Sequence, residues 1–250
     1  MKILLLISMF LVSLPLLGQT GEQRREEMLY PVGRILLYKN VSEVARPEWE
    51  GFGSGSGVAF RYVGDKTQIL TAYHVVAQKP DRIMVQFVDD QEVHLARVKK
   101  LYEEDDLAVI EVDVKKKYLA TLGISPLERA EDVWAVGSGL GAPLAITRGY
   151  SGITMNGITF FSANIVSGNS GGAFYSYVDG HFRLYGIVTA LLRTPTDSVP
   201  MMLPFLAMTE DGPQFMFKPQ VVVTLVPVYH QGIAISLQSI LDFLGDGSDV

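Results

Sequence analysis

Three residues whose side chains could together carry out nucleophilic catalysis occur along the chain in the order His74, Asp106 and Ser170. His74 lies in the segment ILTAYHVV (residues 69–76), Asp106 directly precedes the apolar segment LAVIEV, and Ser170 lies in SGNSGGAF (residues 167–174). A serine hydroxyl is a weak nucleophile unless a base takes its proton, and a histidine oriented by a carboxylate can be that base. The order His, Asp, Ser is one of those in which such triads occur. The three residues therefore predict nucleophilic attack on a carbonyl carbon.

Each of these motifs also has an ordinary structural interpretation. His74 could be a partly buried, hydrogen-bonded residue, and Asp106 could be an exposed turn residue. The glycines beside Ser170 could simply form a loop. They also serve a chemical need, because a reactive hydroxyl must project while neighbouring N–H groups turn toward the same point. The combination is therefore much more specific than any one motif.

The elements that must position these residues are predicted to be short β-strands. Apolar and β-branched segments recur about every ten residues, and several are separated by dipeptides that favour hairpin turns. One amphipathic helix is expected after Ser236, which can cap it, and it should end at Gly245. Many short strands with few helices predict an all-β barrel or sandwich. The predicted turn dipeptides are Asp89-Asp90, Asn156-Gly157, Asp179-Gly180 and Asp211-Gly212.

Composition excludes several classes of protein. The chain has 250 residues, of which 48% are hydrophobic and 19% are charged, so it can bury a core and is not disordered. It has no cysteine, which excludes a disulfide framework, a thiolate zinc site and a cysteine nucleophile. A net charge of −6 argues against nucleic-acid binding through a basic surface. No cofactor motif is present, and the spacing of the histidines (His74, His94, His181 and His230) matches no metal-ligand pattern.

The N-terminus is predicted to be a secretory signal peptide over residues 1–20. Lys2 is followed by an apolar stretch over residues 3–17, which is short for a membrane-spanning helix and typical of a signal peptide. The protein is therefore expected to be secreted or periplasmic, with no stable membrane span after cleavage. An uncleaved membrane anchor is the alternative.

At the level of motifs, the chain resembles the serine endopeptidases of the chymotrypsin fold, and most closely the HtrA/Deg-like bacterial branch. The matching segments follow the family order and cover nearly all of the chain after the signal peptide. They are GSGSGVAF (53–60), LTAYHVV (70–76), DDLAVIEV (105–112), VWAVGSGLG (133–141), ITRGYSG (146–152), SGNSGGAF (167–174), LYGIVTA (184–190) and GIAISLQSILDFL (232–244).

The resemblance implies two six-stranded antiparallel β-barrels with a C-terminal helix and an active site in the cleft between the barrels. The N-terminal barrel, residues 21–120, would carry His74 and Asp106. The C-terminal barrel, residues 121–250, would carry Ser170, a Pro- and Met-rich insertion at 194–230 and the helix. That insertion is expected to be a surface loop or hairpin. No PDZ domain is expected after the helix.

The resemblance also assigns roles to residues. His74 would be the general base and Asp106 would orient it, while the N–H groups of Gly168 and Ser170 would form the oxyanion hole. Asn164 stands where trypsin-like enzymes carry an acid, so the residue before the cleaved bond is expected to be small or medium and apolar. The residues expected to bind substrate are Asn164, Val188, Thr189, Ala190 and Leu191.

The sequence therefore predicts a serine endopeptidase acting on a protein or peptide, and leaves two alternatives. A protease-like fold with an impaired site could serve as a binding protein, with the 194–230 insertion covering the cleft. Residues 168–172 also fit G-x-S-x-G, which in an esterase of the α/β-hydrolase fold leads from a strand into a helix. The hairpin pattern that follows Ser170 argues against this esterase interpretation. The oligomeric state is not predicted.

Overall fold

The computed structural model describes residues 20–40, 49–90, 92–191, 200–209, 212–221 and 232–245. Nearly all of the predicted signal peptide lies outside the described residues, as do parts of the 194–230 insertion. His230 and Asp211 are also outside them.

Six strands of the N-terminal half form a closed antiparallel barrel. Neighbouring strands pair in the order β1-β2-β3-β6-β5-β4, and β1 closes the barrel by pairing with β4. Its strands are β1 (Val32–Asn40), β2 (Trp49–Val63), β3 (Lys66–Ala72), β4 (Arg82–Phe87), β5 (Val93–Tyr102) and β6 (Leu107–Val112).

Six later strands form a second closed antiparallel barrel, in the order β10-β11-β14-β9-β8-β7. The prediction of two six-stranded antiparallel barrels is thus confirmed. Between β11 and β14 the chain forms a separate two-stranded antiparallel sheet, β12 with β13, within the predicted insertion. The strands are β7 (Asp132–Gly137), β8 (Ala145–Met155), β9 (Ile158–Phe161), β10 (Ala173–Val178), β11 (His181–Leu191), β12 (Pro200–Thr209), β13 (Gly212–Val221) and β14 (Gly232–Ser236).

Helices are few and short. In the described part of the chain, the first helix is α1 (Gly21–Arg24), which continues as a π-helical turn over Arg25–Leu29, and α2 (Tyr73–Val76) follows β3. The C-terminal α3 (Leu237–Gly245) confirms the predicted helix, and the Ser236 hydroxyl accepts a hydrogen bond from the Ser239 N–H (3.4 Å). None of these helices, within the described part of the chain, has the length and apolar content needed to cross a lipid bilayer.

Every residue of β6 is buried, because this strand has no face toward solvent. Ala108 and Ile110 point into the first barrel, whereas Leu107 and Val109 belong to a cluster that holds residues of both barrels. Successive side chains of a strand point to opposite faces, so a strand packed on both faces is mostly apolar. The exception in β6 is the buried Glu111, which forms an ion pair with Lys66 (3.5 Å). The interface cluster includes Val58, Leu70, Leu107, Tyr175, Leu184 and Ile187.

The hairpin turns follow the sequence signals at two positions and depart from them at a third. Asn156-Gly157 and Asp179-Gly180 both have positive φ at each residue, as a tight hairpin turn requires. The prediction of a two-residue turn at Asp89-Asp90 was wrong. The last pair of the β4–β5 ladder is Gln86 with Val93, which leaves a longer connection. In it the Asp90 carboxylate accepts a hydrogen bond from the Glu92 N–H (2.9 Å), so the aspartate shapes a loop instead.

Candidate active site

His74 and Asp106 are brought together at neighbouring strand ends of the first barrel. The last β3 residue, Ala72, pairs with the first β6 residue, Leu107, so the residues just beyond them are adjacent. His74 Nδ1 lies 2.8 Å from Asp106 Oδ2 and 3.0 Å from Oδ1. The His74 backbone N–H also donates to Asp106 Oδ1 (2.9 Å). The imidazole is therefore held in one orientation, with Nε2 on the far side of the ring.

The backbone at Asp106 is itself constrained. Its φ is +51°, in the left-handed region that aspartate tolerates better than most residues. The Asp106 N–H donates to the Glu103 carbonyl (3.1 Å), and the Asp106 carbonyl accepts from the Tyr73 N–H (2.9 Å). This turn presents the carboxylate to the backbone N–H and the Nδ1 of His74 in α2. Tyr73, which precedes His74, joins this turn through its backbone N–H.

Asp106 remains an anion although it is partly buried. Burial alone would raise the pKa of its carboxyl. Hydrogen bonds from the His74 ring, the Thr189 hydroxyl and the His74 N–H outweigh burial and hold that pKa below its ordinary value. A group that is hydrogen-bonded and charged in this way can stabilise a positive charge on the imidazole.

Ser170 lies in the loop before β10, between two strands of different barrels. Its Oγ donates to the Thr189 carbonyl of β11 (2.9 Å), and its own carbonyl accepts from the Ser56 N–H of β2 (2.8 Å). Among the described residues, no hydrogen bond joins Ser170 Oγ to His74. Catalytic hydrogen bonds are often long or unformed in a site without substrate.

Gly168 and Gly171 give the loop around Ser170 its shape. Both have positive φ, +95° and +83°. A side chain at Gly168 would also collide with the Ser138 carbonyl, and one at Gly171 would collide with the Ser56 carbonyl. Within the described chain, the N–H groups of Gly168 and Ser170 donate to no protein oxygen. Neither of the two predicted oxyanion-hole donors is therefore bonded to another described residue.

Ser56 is a site residue that the sequence analysis did not identify. It is fully buried in β2, and its hydroxyl donates to the Gly168 carbonyl (2.9 Å) and accepts from the Ser138 N–H (2.8 Å). Its carbonyl accepts from the Thr71 hydroxyl (2.7 Å). The first barrel thus fixes the loop of the second barrel that carries the predicted oxyanion-hole donors. The only signal in the sequence was a polar residue at a strand position that leads into the apolar run VAF.

The residues predicted to bind substrate occupy different environments. Asn164 is exposed beside the loop that leads to Ser170. Val188 is fully buried in the core of the second barrel, and its N–H and carbonyl bond to Gly172 and Gly171. Thr189 is buried. Its hydroxyl donates a hydrogen bond to the Asp106 carboxylate, and its carbonyl accepts one from the Ser170 hydroxyl. The backbone of Ala190 and Leu191 pairs with β14.

The other histidines of the described chain have individual carboxylate partners. His94 Nε2 lies 2.7 Å from Asp90 Oδ2, and His181 Nδ1 lies 2.9 Å from Glu27 Oε1. Neither approaches Ser170 in a triad. The chain after Ser170 enters the strand β10 and not a helix, so the strand–turn–helix elbow of the esterase alternative is not formed.

Comparison with known proteins identifies a family and a similar fold. A family model described as "Trypsin-like peptidase domain" matches residues 55–187. The structure is similar to the crystal structure of the serine endoprotease from Yersinia pestis, with a TM-score of 0.60 at 20% sequence identity. The similarity covers 92% of this chain and 66% of that chain, so this chain spans less than two thirds of the other protein. No curated protein matches the sequence.

Proposed function

Because the chain belongs to the family of trypsin-like peptidase domains, we propose that it is a serine endopeptidase that uses Ser170, His74 and Asp106 as its triad. The observation that carries the proposal is the orientation of His74 by Asp106. Two hydrogen bonds, from the ring and from the backbone, fix this histidine in the cleft-side turn α2. The resemblance of the GNSGG segment to the serine loop of the family supports the assignment of Ser170.

The proposed mechanism follows from the tautomer that Asp106 selects. The carboxylate accepts a hydrogen bond from the His74 Nδ1–H, which leaves Nε2 as the acceptor. Nε2 takes the Ser170 proton as Oγ attacks the scissile carbonyl carbon, and later donates it to the leaving amine. Asp106 stays ionised and stabilises the imidazolium in both steps.

The oxygen of the scissile carbonyl becomes negative during this attack. In the proposed mechanism the N–H groups of Gly168 and Ser170, which donate to no protein oxygen in the described chain, receive this oxygen. One such donor contributes about 3–4 kcal/mol to transition-state stabilisation. The peptide bond then breaks, the amine leaves, and the acyl group remains as an ester on Ser170 Oγ. Water hydrolyses this acyl-enzyme with the help of the same groups.

Attack requires the Ser170 hydroxyl to leave the Thr189 carbonyl. A rotation about the Cα–Cβ bond of Ser170 redirects Oγ from β11 toward His74, and the Thr189 carbonyl then becomes free to accept from a substrate N–H. We therefore regard the observed hydroxyl position as a resting state that substrate displaces.

The remaining parts of the functional proposal rest on the sequence. A signal peptide over residues 1–20 would direct the protein to a secreted or periplasmic location. Exposed Asn164, in place of an acid, favours a small or medium apolar residue before the cleaved bond. As its partners we propose the proteins or peptides that it cleaves.

A fluorophosphonate probe and a casein digest test this proposal. Wild-type protein should be labelled and should cleave casein, and Ser170→Ala should do neither while keeping the circular dichroism of the wild type. Labelling without cleavage of casein or of a broad peptide library would contradict the endopeptidase assignment.

A catalytically silent binding protein is the second candidate, and the hydroxyl contact to Thr189 is the observation that favours it. If Ser170 is locked against β11, a folded wild-type protein should bind peptides but show no labelling. Labelling that is lost in Ser170→Ala would eliminate this candidate.

A further inference from the structure

A groove of about 480 Å³ lies between the first barrel and the segment that precedes β8. We call it the Arg34 groove. Its walls combine an arginine with apolar and amide side chains, and it opens to solvent. Its main lining residues are Arg34, Gln86, Phe87, Asp90, Pro143 and Leu144.

Arg34 is a cation without a partner in the described chain. Its Nε is buried and makes no hydrogen bond, and the guanidinium forms no ion pair with a described residue. A guanidinium carries five N–H donors in a planar fork, and burying such donors unsatisfied is unfavourable. The group that best satisfies this fork is a carboxylate, which accepts two parallel hydrogen bonds.

The strand register places Arg34 beside the candidate active site. Arg34 of β1 is the direct partner of Ser56 of β2, and paired residues project from the same face of a sheet. The Ser56 side chain on that face bonds to the Gly168 carbonyl. A methyl group at Gly141 would lie 3.9 Å from Arg34 Nη2, and one at Gly168 would lie 3.3 Å from the Gly141 nitrogen. The guanidinium is therefore one short loop away from the oxyanion hole.

The groove lies on the leaving-group side of Ser170. Ser170 is held between β11, through the Thr189 carbonyl, and β2, through the Ser56 N–H. Residues 188–191 of β11 were expected to bind substrate, and we assign the acyl part of the substrate to this strand. A peptide that crosses Ser170 from β11 toward β2 places the residues after the cleaved bond on the face that carries Arg34.

Asp90 is the one acidic group in this groove, and it is already occupied. It accepts hydrogen bonds from the Glu92 N–H and His94, and Lys116 Nζ lies 3.4 Å from its carboxylate. These contacts, the Glu92 N–H foremost, lower the pKa of Asp90 to about 2, so it is charged but neutralised by its own partners. Arg34 is left as the free charge of the groove.

We infer that Arg34 forms a subsite for a carboxylate on the leaving-group side of the cleaved bond. The carboxylate would be an acidic side chain a few residues after that bond, or the free C-terminus of the substrate. This inference rests on the proposed function and adds the substrate class to it.

The test is a cleavage-site map followed by matched peptides. Wild-type protein digests a peptide library, and mass spectrometry should show Asp and Glu enriched two to four residues after the cuts. Peptides built on one strong site then differ only in carrying Glu with an amidated C-terminus, Gln with an amidated C-terminus, or Gln with a free C-terminus. Either carboxylate should raise kcat/KM about tenfold over the peptide without one, and the two arms distinguish its source.

Arg34→Gln should bring these ratios close to one, and Arg34→Lys, which keeps the charge but loses the fork, should retain part of them. Arg97→Gln is the matched control, because Arg97 is an exposed arginine of β5 paired with Asp113 (2.8 Å) and should leave the ratios unchanged. If circular dichroism shows that Arg34→Gln does not fold, the ratios measured with Arg34→Lys decide whether Arg34 binds the carboxylate. Cleavage without a carboxylate preference, or a preference that survives these changes, overturns the inference alone. No cleavage of any peptide overturns the proposed function, and the inference with it.

Discussion

Replacing Ser56 with alanine removes one hydroxyl that holds two backbone groups of the other barrel. The Gly168 carbonyl loses its donor and the Ser138 N–H loses its acceptor. Both groups are buried, and leaving a buried polar group unsatisfied costs about 1–3 kcal/mol. Ser56→Ala should therefore lower the free energy of unfolding by at least about 2 kcal/mol.

The same change should act on catalysis through the position of Gly168. Loss of an oxyanion-hole donor lowers kcat by about 10²–10³-fold, and a donor that is displaced but still present should cost less. We expect kcat to fall about tenfold or more with little change in KM, because this donor matters mainly in the transition state. Ser56 is a positioning residue and does not touch the substrate.

The assay combines urea unfolding with steady-state kinetics on a peptide substrate. Ser54→Ala is the matched control, because Ser54 lies two residues earlier on the same face of β2 and is less buried. Unchanged stability in Ser56→Ala would refute the assignment of its two hydrogen bonds. A destabilised variant with wild-type kcat would refute the link between Ser56 and the oxyanion hole.

Three further predictions follow from hydrogen bonding and burial. Asp106→Asn should lower kcat by about 10⁴-fold, since an amide selects the wrong His74 tautomer; a fall of less than tenfold in the kinetic assay would contradict the triad. The pKa of Asp90 is depressed to about 2, so its stabilisation should be complete above about pH 4 and lost as the pH falls toward 2. Acid titration of stability should flatten in Asp90→Asn, and an unaltered profile would count against this. Tyr175→Phe removes a fully buried hydroxyl that has no hydrogen-bond partner among the described residues, so the melting temperature should stay the same or rise. A marked fall in the melting temperature would show an unrecognised hydrogen bond.

The sequence was informative where the signals are local. The apolar and β-branched composition of a segment such as LAVIEV by itself predicts a buried strand, and the dipeptide Asn156-Gly157 by itself predicts a turn. The motifs around His74 and Ser170 are contiguous segments, so they can be recognised without knowledge of contacts between distant residues. The family resemblance, confirmed by the match over residues 55–187, supplied the barrel count that strand patterns alone left open.

What the sequence could not reveal depends on contacts between distant residues. Ser56 and Gly168 are 112 positions apart, and nothing in the sequence around either residue indicates that the two are in contact. Thr189 was expected among the residues that bind substrate, yet its hydroxyl bonds to Asp106, 83 positions away. The Asp89-Asp90 turn failed for a similar reason, because Asp90 also contacts Lys116 and His94 and the loop forms around them.

The hydrogen bond between Thr189 and Asp106 also bears on when the protein becomes active during folding. The histidine–aspartate pair belongs to the first barrel, but its carboxylate accepts a hydrogen bond from a hydroxyl of β11, in the second barrel. Domains of a chain generally fold as units. A chain in which only the first barrel has folded therefore has no nucleophile, and its Asp106 carboxylate lacks the Thr189 hydroxyl. On the proposed function, hydrolytic activity should arise only when the second barrel has folded and docked, so partly folded chains should have little activity.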